Sequence, residues 1–119
     1  MEGKKSVLIV DDDVFLAGAF QSLLEENGHD VSCCQNGSDA IELANKQKFD
    51  VIITDYNMPD MKGDEVCRLL RRDHPDIFII GCSCDYKDKA FLTAGADTFI
   101  IKNQLMLNLV LLMQGSTIH

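Results

Sequence analysis

Basic residues are scarce in this chain of 119 residues: eleven lysines and arginines oppose nineteen aspartates and glutamates, which gives a formal net charge of −8. Non-specific nucleic-acid binding and adsorption to anionic membranes both need a basic surface, so we expect neither kind of partner. Long apolar runs are also missing, and none approaches the roughly 20 residues of a membrane span. The short polar start leaves no room for a signal peptide before the first apolar run, which favours a cytoplasmic location.

The usual metal-binding and disulfide patterns of cysteine are absent as well. The five cysteines, an odd number, include no C-x-x-C pair and no Cys/His spacing of the zinc type. We interpret them as small unbridged thiols in a reducing cytosol. The alternative is redox sensing by Cys82 and Cys84, which would share one face of a strand.

The sequence does contain a regular alternation of short apolar runs and helical patterns. Its 46% hydrophobic and 25% charged residues are ordinary for a globular protein of one domain, which we place at residues 1–119. Apolar runs predict strands at residues 7–10, 29–34, 51–54, 77–81 and 98–101. Helical spacing predicts helices at residues 14–27, 38–47, 64–72, 86–94 and 105–113. The expected caps of the first two helices are Asp13 and Ser38, and the expected helix stops are Gly28 and Gly95.

Five strand–helix units in alternation predict an α/β fold, a parallel sheet with helices on both faces. Right-handed crossovers leave few topologies, and we expect a doubly wound, flavodoxin-like (βα)5 sheet in the order 2-1-3-4-5. In such sheets the ligand site lies outside the carboxyl ends of the strands, where the strand order switches between the first and the third strand.

Polar residues follow the predicted strands at their carboxyl ends. They are Asp11-Asp12-Asp13, Asp55, Ser83 between two cysteines, and Lys102. Asp13 is best explained as a helix cap, but adjacent caps are redundant, so Asp11 and Asp12 need another role. Carboxylates without nitrogen or sulfur ligands suit a hard cation such as Mg²⁺ or Mn²⁺. Lys102 and Ser83 offer a charge and a hydroxyl to a phosphoryl group, and a carboxylate can itself be the nucleophile.

These residues resemble the receiver domain of two-component response regulators over essentially the whole chain. The matching pieces are Val10-Asp11-Asp12, Thr54-Asp55-Tyr56-Asn57-Met58-Pro59 with Gly63, Ser83, Ala94-Gly95-Ala96-Asp97 and Lys102. The resemblance, which extends to the chemotaxis regulators, implies a domain that accepts a phosphoryl group in a two-component system or phosphorelay. Its implied partners are a histidine kinase or histidine phosphotransfer protein and, downstream, a protein partner or an output domain missing from this sequence.

The resemblance also implies roles for individual residues. Asp55 would accept the phosphoryl group from a phosphohistidine of the partner. Asp12 would contact Mg²⁺ directly and Asp11 mainly through water, while Asn57 would offer its backbone carbonyl to the metal. The protein would not be an enzyme with a separate substrate, because its chemistry would be self-catalysed transfer to Asp55 and slow autodephosphorylation.

Three further residues would contact the phosphoryl group or respond to it. Lys102 would pair with the phosphoryl group, and Ser83 would move to hydrogen-bond it. Phe99, three residues before Lys102, would rotate inward as a switch residue; the simpler alternative is a plain core position. Because phenylalanine has no hydroxyl, any switching at Phe99 would depend on packing alone.

Three features depart from the family pattern. Asn103 stands where proline usually follows the lysine, and since a non-proline cis bond costs about 3–4 kcal/mol, we expect a trans bond or a strained loop. Cys84 stands where the family usually has alanine, and its larger side chain would narrow the approach to the phosphoryl group. Ser83 and Lys102 are 19 positions apart, fewer than is usual in the family. The fourth helix or its leading loop, part of the family's usual output surface, should therefore be short.

Three alternatives compete with this interpretation. A receiver-shaped scaffold that is never phosphorylated is favoured only by the shortened fourth helix. A phosphatase of the haloacid dehalogenase type would also form an aspartyl-phosphate, but it needs a second acid two residues after the nucleophile, where Asn57 stands. A flavodoxin-like FMN module needs a first loop that donates hydrogen bonds to phosphate, whereas the aspartates at residues 11–13 would repel it.

Overall fold

The computed structural model describes residues 3–113 of the chain, except for the side chains of residues 106, 107 and 109–112. Its elements in chain order are β1 (Ser6–Val10), α1 (Val14–Glu26), β2 (Asp30–Cys34), α2 (Gly37–Lys46), β3 (Val51–Asp55), α3 (Gly63–Asp73), β4 (Phe78–Ser83), α4 (Asp88–Ala94), β5 (Thr98–Ile101) and α5 (Lys102–Met113). The predicted domain also includes residues 1, 2 and 114–119, which lie outside the described residues. Within the described part of the chain, no helix is long and apolar enough to cross a bilayer.

The five strands form one parallel sheet in the order β2-β1-β3-β4-β5, so the predicted topology is confirmed. The central strands β1 and β3 are almost entirely buried, as expected for unbroken apolar runs covered on both faces. β2 lies at an edge and is more polar and only partly buried.

Side chains of the central strands alternate between two apolar layers, one on each face of the sheet. On one face, Ile9 belongs to a cluster with Phe20 of α1 and Leu105 of α5. On the other face, Ile52 belongs to a cluster that includes residues of α2 and α3 and Phe91 of α4. Because helices pack on both faces, the sheet is doubly wound. Because its strands are parallel, their carboxyl ends lie together at one edge.

The capping predictions were right for α1 and wrong for α2. Asp13 caps α1, because its carboxylate accepts a hydrogen bond from the N–H of Leu16 at 3.1 Å. Ser38 does not cap α2; Asn36 does so instead, by accepting a hydrogen bond from the N–H of Asp39 at 2.8 Å. Asparagine and serine are both favourable caps, and the sequence pattern could not choose between them.

The second half of the chain departs most from the predicted boundaries. α4 begins at Asp88 rather than at residue 86 and has seven residues, the fewest of the described helices, in agreement with the predicted shortening. Gly95 ends it in the left-handed conformation, with φ of 106°. α5 begins at Lys102, directly after β5, rather than at residue 105. Among the described residues no peptide bond is cis, so the bond before Asn103 is trans, as expected.

All five cysteines are free thiols, in agreement with the unbridged interpretation. Cys82 is buried, and burial raises the pKa of its thiol well above the ordinary value, which disfavours the reactive thiolate. Cys84 lies past the end of β4 and is exposed. The two cysteines differ in environment, and this difference does not favour a redox pair.

Candidate functional site

The carboxyl ends of four strands bring the predicted polar residues to one edge of the sheet. Asp11 directly follows β1, and Asp55 is the last residue of the adjacent strand β3. Ser83 ends β4, and Lys102 follows β5. Because the chain leaves β1 and β3 toward opposite faces of the sheet, this edge contains the topological switch point, where ligands of doubly wound folds bind.

Asp11, Asp12 and Asp55 form an acidic cluster in which each residue offers one carboxylate oxygen, and these oxygens all lie within 4.8 Å of one another. Asp11 and Asp55 are only 2% and 6% exposed, whereas Asp12 faces solvent. Two unit charges about 4 Å apart repel by roughly 4 kcal/mol at an effective dielectric near 20. The acidic cluster therefore costs folding free energy unless cations offset its charge.

Lys102 is the cation that reaches into the acidic cluster. Its Nζ lies 2.9 Å from Oδ2 of Asp11 and 3.2 Å from Oδ1 of Asp55. Burial alone would lower the pKa of Lys102, but the hydrogen bond to Asp11 and the charges of Asp55 and Asp11 outweigh burial and raise that pKa above its ordinary value. Lys102 stays charged and pairs with two of the three carboxylates, so among the described residues the acidic cluster keeps an excess of negative charge.

The carboxyl group of Asp55 has a pKa above its ordinary value. Burial is the main cause and the neighbouring charge of Asp11 adds to it, while the charge and hydrogen bond of Lys102 act in the opposite direction. The ionised form of Asp55 is therefore disfavoured by its surroundings. A second cation beside this carboxylate would offset that cost.

The donor chemistry of the acidic cluster fits a hard divalent cation. Its three members offer carboxylate oxygens, and Mg²⁺ is usually held in proteins by one or two carboxylates together with waters. Mn²⁺ accepts the same oxygen ligands. Asn57 lies two residues beyond Asp55 in the loop after β3, and the role of its backbone carbonyl as a metal ligand stays a prediction.

Ser83 and Phe99 lie on neighbouring strands. Ser83 is 2% exposed, and its hydroxyl accepts a hydrogen bond from the N–H of Asp85 at 3.2 Å. Phe99 is half-buried, and its ring centre lies 5.8 Å from that of Phe91, the buried anchor of α4. The Phe91 ring in turn lies 5.9 Å from the ring of Tyr56. A row of three aromatic rings thus links the residue after Asp55 to β5.

Sequence reasoning missed two lysines beside the loop that follows β3. Lys62 donates a hydrogen bond from Nζ to Oδ1 of Asn57 at 3.0 Å, and the same Nζ lies 5.6 Å from the centre of the Tyr56 ring. Lys87 places its Nζ 4.9 Å from the centre of that ring. A cation over an exposed aromatic face gains about 0.5–1 kcal/mol. No motif marks these lysines, because their proximity to Tyr56 arises only when the loops fold.

Gly63 closes the loop of residues 56–62 onto β3. Its N–H donates a hydrogen bond to the carbonyl of Tyr56 at 2.7 Å. A Cβ at this position would collide with the carbonyl oxygen of Asp55, so glycine is a steric requirement here.

Asp60, in the same loop, was also missed by sequence reasoning; its carboxylate is hydrogen-bonded to the first residues of α2.

The family model described as the response regulator receiver domain matches residues 7–113 of the chain. The match covers far more than half of the sequence, and the chain belongs to this family. Receiver domains are signalling modules of two-component systems, which interact with histidine kinases and output partners and bind Mg²⁺ at an acidic pocket. The predicted family is therefore confirmed.

Individual relatives agree with this assignment. The transcriptional regulatory protein AfsQ1 of Streptomyces coelicolor is 32% identical over 99 residues, which are 82% of this chain but 44% of that protein. The chain thus spans less than half the length of this relative. Chemotaxis protein CheY4 of Vibrio cholerae is 27% identical, with a TM-score of 0.87 over 97% of this chain and 100% of that one. TrrA of Thermotoga maritima, solved in complex with Mg²⁺–BeF, is 27% identical, with a TM-score of 0.80 over 90% of this chain and 96% of that one.

Proposed function

We propose that this chain is a phospho-accepting receiver domain in which Asp55 takes a phosphoryl group from a phosphohistidine of a partner protein. The observation that carries the proposal is the cluster of three carboxylates at the switch point of the sheet, two of which pair with the half-buried Lys102. Such an excess of negative charge lowers stability, but the same charge would bind the metal ion that transfer of a phosphoryl group requires.

Four oxygen-bearing residues would hold the metal. They are Asp12 and Asp55 through their carboxylates, Asp11 mainly through water, and Asn57 through its backbone carbonyl. This donor set fits Mg²⁺, and Mn²⁺ would serve as a substitute. When bound, the metal supplies positive charge that offsets the negative charge on the oxygens of the transferred group.

In the proposed reaction, a carboxylate oxygen of Asp55 attacks the phosphorus atom in line with the phosphorus–nitrogen bond of the phosphohistidine. As the phosphorus–oxygen bond forms, the phosphorus–nitrogen bond breaks and its electron pair stays with the imidazole nitrogen of the partner. Asp55 reacts as the carboxylate, so no proton has to leave it. Lys102, already paired with Asp55, would hold the transferred group by its charge.

Phosphorylation adds about −1.5 to −2 charges to the site and would bias an equilibrium between two conformations. The hydroxyl of Ser83 would exchange its hydrogen bond with Asp85 for one to the phosphoryl group. Phe99 would respond by packing more deeply against the aromatic row of Phe91 and Tyr56. Because α4 has only seven residues, this response would involve a smaller output surface than is usual in the family.

The proposed upstream partner is a histidine kinase or a histidine phosphotransfer protein, and the downstream partner is another protein or an output domain absent from this sequence. Residues 1–119 would form a single receiver domain that works in the cytoplasm. The net charge of −8 makes neither nucleic acid nor membrane a partner of this domain. The domain would catalyse only the transfer of the phosphoryl group to its own Asp55 and slow autodephosphorylation.

The test is the intact mass of the protein after incubation with acetyl phosphate and Mg²⁺. We expect one phosphoryl adduct on the wild-type chain, none on Asp55→Ala, and none on the wild-type chain when EDTA removes the metal. Asp64→Asn, which alters a half-buried aspartate at the start of α3, is the matched control and should keep the adduct. A wild-type chain that gains no adduct, or an Asp55→Ala variant that still does, would contradict the proposal. The first of these results would favour an unphosphorylated scaffold.

A further inference from the structure

The loop of residues 56–62 carries the backbone carbonyl of Asn57 and is attached to the rest of the protein at several points. Gly63 ties its end to the carbonyl of Tyr56, and Met58 is buried in the apolar layer on the α2–α4 face. A further attachment, to the N-terminus of α2, is made by Asp60.

Asp60 accepts three hydrogen bonds from the N-terminus of α2. Its Oδ1 lies 2.8 Å from the backbone nitrogen of Gly37, and its Oδ2 lies 2.8 Å from the backbone nitrogen and 2.7 Å from the hydroxyl oxygen of Ser38. The first N–H groups of a helix have no partner within the helix, and the helix dipole favours a negative charge at this end. Asp60 therefore satisfies donors that the cap Asn36 leaves free.

The protonation behaviour of Asp60 agrees with this geometry. Burial alone would raise the pKa of its carboxyl group slightly, but the hydrogen bonds from Gly37 and Ser38 outweigh burial and lower the pKa to about 2. The charged form is therefore the one that the N-terminus of α2 binds at neutral pH.

Packing beside Asp60 brings the loop and α2 into direct contact. A Cβ at Gly37 would collide with the side chain of Met61 and lie 2.7 Å from a methyl group of Val66. Glycine at position 37 thus lets the backbone of α2 approach the loop closely. Polar and apolar contacts together fix the loop against the first turn of this helix.

We propose that Asp60 is a positioning residue for the metal site. By binding the N-terminus of α2, its carboxylate would hold the loop in the conformation in which the carbonyl of Asn57 can serve as a metal ligand. The inference rests on the proposed function, in which that carbonyl is a metal ligand. It adds that α2 helps to position the metal site through Asp60, although this helix supplies no metal ligand itself. Loss of a residue that orients a metal ligand typically lowers metal affinity by about 10–100-fold.

The test is Mn²⁺ binding, measured by the loss of the electron paramagnetic resonance signal of the free ion as protein is added. Asp60→Asn should weaken Mn²⁺ binding by about tenfold, because its amide places a donor where Oδ1 or Oδ2 accepts hydrogen bonds. Ser38→Ala should weaken binding less, since the two backbone donors remain. Circular dichroism at the same temperature establishes that each variant is folded.

Two matched variants separate positioning from simpler effects. Asp39→Asn makes an equal change of charge, but in the first turn of α2 itself, and leaves the hydrogen bonds of Asp60 in place. Asp50→Asn weakens a hydrogen bond to the N–H of Ser6 in another part of the fold. Both should bind Mn²⁺ as the wild type does. Equal binding by Asp60→Asn and the wild type would overturn the inference, as would an equal loss in either control. Absence of Mn²⁺ binding by the wild type would instead overturn the proposed metal site itself.

Discussion

At the amino ends of the strands, several polar side chains accept a hydrogen bond from a specific backbone donor, whereas at the carboxyl ends three clustered carboxylates have one ammonium, which pairs with two of them. Asp50 accepts a hydrogen bond from the N–H of Ser6, the first residue of β1, at 2.8 Å. Nδ1 of the buried His29 accepts one from the N–H of Lys5 at 3.0 Å. These groups complete the hydrogen bonding of the sheet where its strands begin.

Asp97 shows the difference most clearly. Its Oδ2 accepts hydrogen bonds from the N–H of Ile79 at 2.8 Å and from Nη2 of Arg71 at 2.6 Å. One carboxylate thus meets one guanidinium and one backbone donor, and the charge is balanced. The acidic cluster at the opposite end is unbalanced although two of its members are nearly inaccessible. Local rules that favour stability are broken in a folded protein chiefly where function requires it.

Asp97→Ala should produce the largest loss of stability, about 2 kcal/mol or more. The substitution leaves the N–H of Ile79 without its acceptor and the partly buried guanidinium of Arg71 without its counter-charge, and an unsatisfied buried group costs about 1–3 kcal/mol. Urea denaturation measures the loss. Asp76→Ala, an exposed aspartate near the same end of the sheet, should change the unfolding free energy by less than about 0.5 kcal/mol. If the two variants lose equally little, Asp97 does not stabilise the amino end as described.

Asp12→Asn should stabilise the protein in the absence of metal, which is the opposite of the effect expected for Asp97→Ala. Removing one charge from the acidic cluster relieves its repulsion with Asp11 and Asp55, and solvent around Asp12 limits the gain to about 1 kcal/mol or less. Thermal denaturation in EDTA provides the measurement, with Asp76→Asn as the matched charge change. A lower melting temperature for Asp12→Asn than for the wild type would show that repulsion does not burden this site.

His29 should make the smallest contribution to the unfolding free energy, and this contribution should depend on pH. Burial, with a further contribution from the charge of Lys5, lowers the pKa of His29 below its ordinary value of 6.5. Folding therefore favours the neutral ring, and this stability is complete above pH 6.5 and declines as pH falls through the lowered folded-state pKa. We expect this effect to be the smallest of the three, because the ring is already neutral at neutral pH and keeps its hydrogen bond from the N–H of Lys5.

The measurement for His29 is the difference in unfolding free energy between the wild type and His29→Gln at several pH values. Glutamine keeps an acceptor for the N–H of Lys5 but does not titrate. The wild type should lose stability relative to this variant as pH falls from 7.5 to 5. A difference that stays constant, or grows in favour of the wild type, would contradict a buried neutral ring.

The sheet and the principal site residues could be predicted because their signals are local. Each strand is a short apolar run, and the residue that follows it along the chain is necessarily at the carboxyl end. Once the order of the strands is known, Asp11, Asp55 and Lys102 must lie near one another. Burial on both faces and the alternation of side chains then determine the two apolar layers.

The supporting residues of the site could not be predicted in this way. Asp60 binds Ser38, which is 22 positions earlier in the sequence, and no periodicity or motif connects the two. The hydrogen bond of Lys62 to Asn57 depends on the path of a loop that is attached to the rest of the protein through Met58, Asp60 and Gly63. The hydroxyl of Ser38, predicted to cap α2, instead binds Asp60 in this distant loop, while the nearby Asn36 is the cap.

The most direct test of the central claim is the unfolding free energy of the wild-type chain with EDTA and with Mg²⁺. The account predicts that Mg²⁺ stabilises the fold by relieving the excess charge of the acidic cluster. At about ten times its dissociation constant, the ion should add about 1.4 kcal/mol, and it should add less to Asp12→Asn. An unfolding free energy of the wild type that does not change with millimolar Mg²⁺ would contradict the account.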